Sequence, residues 1–173
     1  IVNIAELCAQ PGIDKAVICP GSRCAPLTLA FARHPKIKTY VIPDERSAGF
    51  IALGLAQSIN KPVVIICTSG TAAANLYPAI IEAYYQQVPL LILTADRPPE
   101  WIDQQDGQTI RQSHIFQNHI RNSFQFPISF DHEEAIWHSE KMISEAIINT
   151  SGSTPGPVHV NVPIREPFYP SVD

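Results

Sequence analysis

Apolar residues in this chain alternate between two patterns. Short, nearly continuous runs ("AVICP", "KTYVIP", "PVVIICT", "PLLILTAD" and "GPVHVNVP") read as strands. Between them lie segments of helical period: "APLTLAFARH", "ERSAGFIALGLAQSIN", "TAAANLYPAIIEAYYQQ" and "HEEAIWHSEKMISEAIINT". A leading helix, "NIAELCAQPG", stops at Pro11 and Gly12, and "RNSFQFP" is a shorter, mixed strand. Runs that are apolar at every position suit strands covered on both faces. The alternation predicts a three-layer α/β/α domain around a parallel six-stranded sheet. One stretch departs from it. Arg97 to His114 is irregular and rich in Pro, Gln and Asp. Loops of that length in a compact domain are usually functional or mobile.

The polar residues that interrupt the pattern are not scattered. Gly21-Ser22-Arg23 follows the first strand, Asp44-Glu45-Arg46 the second, Ser69-Gly70-Thr71 the third and Asp96-Arg97 the fourth. All four clusters lie at carboxyl ends of strands, the edge where an open parallel sheet binds ligands. Each also has a plain structural reading. Ser22 can cap a helix and leave Arg23 solvated in its first turn, although a cation there opposes the helix dipole and a bound anion would relieve it. Asp44 can cap the next helix, with Glu45 in its first turn. "TSGTAAANL" is either a capped turn or an anion-binding helix mouth. Arg97, held before Pro98 and Pro99, is either a surface charge or an anchor.

Composition narrows the classes. The 173 residues suit one domain with a real core. Hydrophobic residues make up 45% and charged residues 16%, an ordinary globular profile. The net charge of -4 gives no sign of a nucleic-acid surface. No apolar run approaches the roughly 18 residues that a membrane span needs. Cys8, Cys19, Cys24 and Cys67 form no C-x-x-C pair and are expected to be free thiols in a reducing cytoplasm. The histidines show no metal-binding spacing, so no metal ligand is expected within this chain. The chain lacks both G-x-G-x-x-G and the Walker lysine. It begins at Ile1 rather than Met and stops soon after a strand-like segment, so a piece of a longer protein is expected, with residues 1–173 forming one domain.

In order, "CPGSRCAPLTLA", "DERSAGFIALGLA", "TSGTAAANLYPAIIEA" and "LILTADRPPEWID…IRQ" resemble the thiamine-diphosphate-dependent synthase family of menaquinone biosynthesis that makes 2-succinyl-5-enolpyruvyl-6-hydroxy-3-cyclohexene-1-carboxylate (SEPHCHC). The resemblance is to its amino-terminal, pyrimidine-binding domain. It implies strand order 2-1-3-4-6-5. It implies that Glu45 hydrogen-bonds the pyrimidine N1′ of thiamine diphosphate, while Asp44 has no such role. Burial disfavours a carboxylate's charge, which suits an acid that shares its proton with the ring. Ser69, Gly70 and Asn75 fall where family members approach the cofactor, and Ser22, Arg23, Arg97 and Gln108 where they meet substrate. The family reaction decarboxylates 2-oxoglutarate and adds the succinyl unit to isochorismate. Both substrates are dicarboxylates, for which arginine is the natural anchor.

The family often reads N-Q-x-I-R-Q where this chain has Gly107-Gln108-Thr109-Ile110-Arg111-Gln112. The small residues Ala48, Gly49, Ala52, Gly54 and Ala56 are expected to pack closely, against a second subunit of a homodimer or homotetramer. Magnesium would be bound by a diphosphate domain outside this chain, and the chain alone would bind the cofactor weakly and be inactive. Two other readings compete: a different thiamine-diphosphate 2-oxoacid decarboxylase or ligase, and a non-catalytic nucleotide-binding module. The arginines argue against the first and the missing glycine fingerprint against the second.

Overall fold

A computed structural model describes residues 2–165. The first and last positions of the expected 1–173 domain lie outside that range. The order of elements is α1 (Val2–Ala9), β1 (Lys15–Ile18), α2 (Ala25–Ala32), β2 (Lys38–Val41), α3 (Glu45–Ile59), β3 (Val63–Cys67), α4 (Thr71–Asn75), α5 (Tyr77–Tyr85), β4 (Leu90–Asp96), β5 (Asn122–Gln125), α6 (Glu133–Thr150) and β6 (Pro157–Pro163). The six strands form one sheet in the order β2-β1-β3-β4-β6-β5. Every pairing is parallel. The expected architecture and strand order are therefore both present.

Strand periodicity divides the core in two. Ala16, Ile18, Val64, Ile66, Leu91 and Leu93 face one layer, which holds Ile4 and Cys8 of α1, Leu27 and Phe31 of α2, and Ile143 of α6. Val17, Val63, Ile65, Leu90 and Ile92 face the other, with Ala48 and Ala52 of α3 and Leu76 and Ile80 around α5. Alternate residues of one strand enter opposite layers because successive side chains point to opposite faces. β3, β4 and β6 are buried at every position, while the edge strands β2 and β5 are partly exposed. All four cysteines are free and buried.

Two expectations are corrected. The segment 71–87 is not one helix. Leu76 separates α4 from α5, because Pro78 has no N–H for the Ala74 carbonyl and its ring crowds that turn. The small residues of α3 are also not a subunit face. Ala48, Gly49, Ala52 and Ala56 are buried inside this chain, and only Gly54 of the set is exposed. A Cβ on Gly49 would lie 2.8 Å from the Ala79 Cβ of α5, so the missing side chain sets how closely α3 and α5 approach. The outward side of α3 carries Phe50 and Ile51, both exposed.

Opposite effects are expected at the two glycines of α3. A Cβ at Gly54 meets nothing within 4 Å. Gly54→Ala should therefore raise stability by about 0.5–1 kcal/mol through helix entropy. Gly49→Ala should lower it by about 1–3 kcal/mol through overpacking. Urea unfolding of the two variants checks the signs. A stabilising Gly49→Ala would mean that the α3–α5 contact is loose.

Candidate functional site

The connections reverse direction at the carboxyl edge of the sheet. β1 and β3 are neighbours whose connections run opposite ways, one to β2 and the other to β4. Such a switch point leaves a crevice between diverging loops. There, Gly21 is pressed against Thr68: a Cβ on it would stand 2.5 Å from the Thr68 Cβ. The Thr68 hydroxyl is buried and has no hydrogen-bond partner among the described residues. The turn then passes Gly70, at φ +82, into α4. A Cβ on Gly70 would sit 2.8 Å from the Gln108 carbonyl oxygen, so the loop after β4 lies directly on this glycine.

What holds that loop is a residue absent from the expected site. Gln112 is fully buried. Its Oε1 accepts from the Gly70 N–H at 2.8 Å. Its Nε2 donates to the Ala95 carbonyl at 3.0 Å and to Asn161 Oδ1 at 2.9 Å. Asn161 Nδ2 donates to Asp96 Oδ2 at 2.7 Å and to Gln125 Oε1 at 3.1 Å. The Thr94 hydroxyl donates to Asn161 Oδ1 at 2.8 Å and lies 2.7 Å from His159 Nε2. Since the Thr94 hydrogen is committed to Asn161, His159 is the Nε2–H tautomer, donating to Thr94. Its Nδ1 can then accept from Ser123 Oγ at 3.4 Å. Phe116 packs edge-on against the imidazole at 4.9 Å between centroids.

Burial sets the ionisation of this network. It pushes the Asp96 carboxyl above the usual carboxylate range, against the hydrogen bond from Asn161 and the backbone bond from Arg97. It drives the His159 pKa down to about 3, so the ring is neutral.

The expected arginines converge. Arg97 Nε donates to Asp106 Oδ2 at 2.7 Å, Nη1 to Ser69 Oγ at 3.0 Å and Nη2 to the Gly107 carbonyl at 2.9 Å. It is not a surface charge, since 14% of its side chain is exposed. Ser22 is not the cap of α2; that position belongs to Cys24, and Ser22 is exposed. Arg23 is not solvated either. It is buried, and its Nη1 donates to the carbonyls of Ile164 at 2.8 Å and Arg165 at 3.0 Å beyond β6. It therefore reaches across the ends of β3 and β4. Arg23, Arg97, Pro98, Trp101, Asp106 and Arg165 line one cavity of about 250 Å³. Arg165 is paired there with Glu100.

Glu45 stands apart from that cavity. Asp44 caps α3, its Oδ1 accepting from the Ser47 N–H at 2.7 Å, which holds the Asp44 carboxyl below its ordinary range. Glu45 is the first residue of the helix, half-buried, with no hydrogen bond or ion pair among the described residues. Its charge reaches Cys19 and Cys67 at the ends of β1 and β3. The Cys19 thiol is pushed up to about 12, mainly by burial, with the Glu45 charge adding to it. Asn75 ends α4, exposed. The structure thus joins Arg23, Ser69, Gly70, Arg97 and Gln108 in one cluster, and leaves Ser22 and Asn75 on the surface.

The family model described as "Thiamine pyrophosphate enzyme, N-terminal TPP binding domain" matches residues 3–124. The chain belongs to this family. Among curated relatives, it is similar to the SEPHCHC synthase of Cytophaga hutchinsonii, 52% identical over 170 residues, covering 98% of this chain and 30% of the relative. The synthase of Bacteroides thetaiotaomicron is 44% identical over 169 residues, at 98% and 30% coverage. That of Christiangramia forsetii is 47% identical over 184 residues, at 99% and 32%. The chain spans about 30% of the length of these relatives.

For a thiamine pyrophosphate enzyme domain, the residues at the β1–β3 junction fit the cofactor's pyrimidine. Glu45 offers a carboxyl not used for capping, and Thr68 a buried hydroxyl that can still take a partner. Among the described residues, no cluster of His, Cys, Asp and Glu could hold a metal ion.

Two outcomes follow from the buried network. Gln112→Ala would leave the Gly70 N–H and the Ala95 carbonyl without their partner. It should cost about 2–4 kcal/mol, measured by urea unfolding; a loss below about 1 kcal/mol would show that water replaces the amide. His159 binds its proton more weakly folded than unfolded, so folding stability should fall as pH drops from its ordinary 6.5 towards about 3. Between pH 7 and pH 5 the loss should be on the order of 2 kcal/mol, and His159→Gln should remove that dependence. Identical pH profiles for wild type and variant would exclude His159 as the source.

Proposed function

We propose that this chain is the pyrimidine-binding domain of a SEPHCHC synthase, a thiamine-diphosphate-dependent transferase of menaquinone biosynthesis. The complete enzyme decarboxylates 2-oxoglutarate and adds the succinyl unit to isochorismate. The observation that carries the reading is the convergence of Arg23 and Arg97, from separate strand ends, on one cavity beside the Ser69–Gly70 turn. A reaction between two dicarboxylates needs fixed cations, and guanidinium groups meet carboxylates with two parallel donors. The similarity to synthases over nearly the whole chain supports the same assignment.

Each residue then has a task. Glu45 holds the pyrimidine N1′ of the cofactor and shares a proton there. Ser69, Gly70 and Asn75 border the cofactor, with Gly70 admitting the backbone of the Gln108 loop beside it. Arg23 and Arg97 anchor carboxylates, with Ser22 and Gln108 at the mouth of the site. When bound, thiamine diphosphate supplies the carbon nucleophile and electron sink that 2-oxoacid decarboxylation requires. Magnesium and the diphosphate are held by a further domain. The exposed Phe50 and Ile51 on the outer side of α3 support a homodimer or homotetramer. The free thiols suit the cytoplasm, and no helix among the described residues is long and apolar enough to cross a membrane.

Glu45→Gln tests the reading in the complete enzyme. The amide cannot share an acidic proton, so turnover should fall by roughly 10²–10⁴-fold with an unchanged melting temperature. The assay is product formation from 2-oxoglutarate and isochorismate. Wild-type turnover by the variant would remove Glu45 from the mechanism.

A further inference from the structure

The loop after β4 places an acid, Asp106, in a cavity lined by arginines. The three residues before it, Asp103, Gln104 and Gln105, are exposed, but Asp106 turns inward and is half-buried. Its Oδ2 takes the Arg97 Nε–H at 2.7 Å, and the next residue, Gly107, takes an Nη2–H through its carbonyl at 2.9 Å. Nε and Nη2 form one edge of the guanidinium fork, so this edge is occupied by the loop itself. Ser69 takes one hydrogen of Nη1. Of the five N–H groups of an arginine, two remain, one on each Nη. The Thr109 hydroxyl braces the acid, donating at 3.2 Å to the same Oδ2. The hydrogen bond from Arg97 holds the Asp106 carboxyl below its ordinary range, so the pair is ionic at neutral pH.

We infer that Asp106 is a positioning residue. It clamps one edge of the Arg97 guanidinium so that the opposite donors, and no others, are presented to a carboxylate ligand in the cavity. The inference rests on the proposed role of Arg97 and deepens it. A flexible arginine with all its donors exposed can bind an anion in several orientations, and most of them misplace the reacting carbon. A charge-assisted bond on the far edge removes that freedom. Gly107 belongs to the same device. Its main-chain carbonyl and the Asp106 carboxylate together hold the same edge of Arg97.

The test uses the complete enzyme with Asp106→Ala and Asp106→Asn. Asp103→Asn in the same loop serves as control, since Asp103 pairs with Arg111 in an exposed contact at 2.9 Å. Asp106→Ala should raise KM about tenfold for one of the two dicarboxylate substrates, and leave the other KM and kcat within about threefold. Asp106→Asn, which keeps an acceptor but loses the charge, should fall between. The control and all melting temperatures should not move. A second measurement is independent of turnover: phenylglyoxal labelling of Arg97, read by peptide mass spectrometry, with succinate as protectant. The half-protecting succinate concentration should rise about tenfold in Asp106→Ala. A lower value would make Asp106 a competitor of the ligand, and an unchanged value a bystander; either overturns the inference, as does wild type left unprotected. Should wild type form no product while Asp106→Ala still weakens protection, the proposed reaction fails and the clamp stands.

Discussion

The carboxyl edge of this domain depends on one buried amide. Gln112 ties the long loop after β4 to three points on the sheet's end: the turn after β3 through Gly70, β4 through Ala95, and β6 through Asn161. An unpaired polar group at that depth is costly, and the Gly70 N–H and the Ala95 carbonyl would become such groups without Gln112. The amide has one acceptor and two donors engaged, and the directions are fixed by its neighbours. Gly70 can only donate and Ala95 can only accept. The long loop that carries Gln108 and Asp106 is therefore anchored from below. Where Arg97 finds Ser69 and Asp106 is a consequence of that anchoring.

The network explains why one face of the sheet is polar near its end. β1, β3 and most of β4 are covered by the alanine-rich side of α3 and by α5, and their inward residues are apolar. β6 and β5 on the same face meet the irregular loop instead. That loop lays the buried Gln112 amide on the sheet, and Asn161 receives it within a side-chain network that includes Thr94, His159 and Gln125. The result is a site whose cations are set by rigid neighbours. Arg23 is tied to main-chain carbonyls beyond β6, and Arg97 to a side chain of the β3 turn.

The fold could be read from the sequence because both of its signals are local. Apolar runs marked the strands, and the polar residues after "AVICP" and "PLLILTAD" marked the ligand edge. The break between α4 and α5 was visible in principle at Pro78, but the unbroken period of "TAAANLYPAIIEAYY" hid it. Arg97 and Arg23 are legible from their positions after strands. Gln112 is not, because a glutamine in a polar loop carries no sign of burial; only the tertiary contacts of the loop bury it. Asn161 and His159 do leave a trace. In "GPVHVNVP" polar residues alternate with valines, the mark of a strand with one polar face. Asp106 is hidden for a reason like that of Gln112: its partner lies nine positions back, across a turn with no regular period.

The carboxylate pair at the start of α3 shows how a fold can position a carboxyl without using it internally. A helix amino terminus attracts acids, and either Asp44 or Glu45 could have been spent there. Asp44 takes the cap, with the extended backbone of a capping residue and its Oδ1 on the Ser47 N–H. Glu45 begins the helical backbone, so its direction is fixed by the helix, while its carboxyl makes no internal bond among the described residues. The helix in turn is fixed by residues with almost no side chain. Ala48, Gly49, Ala52 and Ala56 let α3 sit closely on the sheet and on α5, and larger residues would lift it and carry Glu45 away from the ends of β1 and β3. The placement of the acid thus rests on a polar cap at one end of α3 and on the smallness of its buried face, and neither requires a contact to the acid itself.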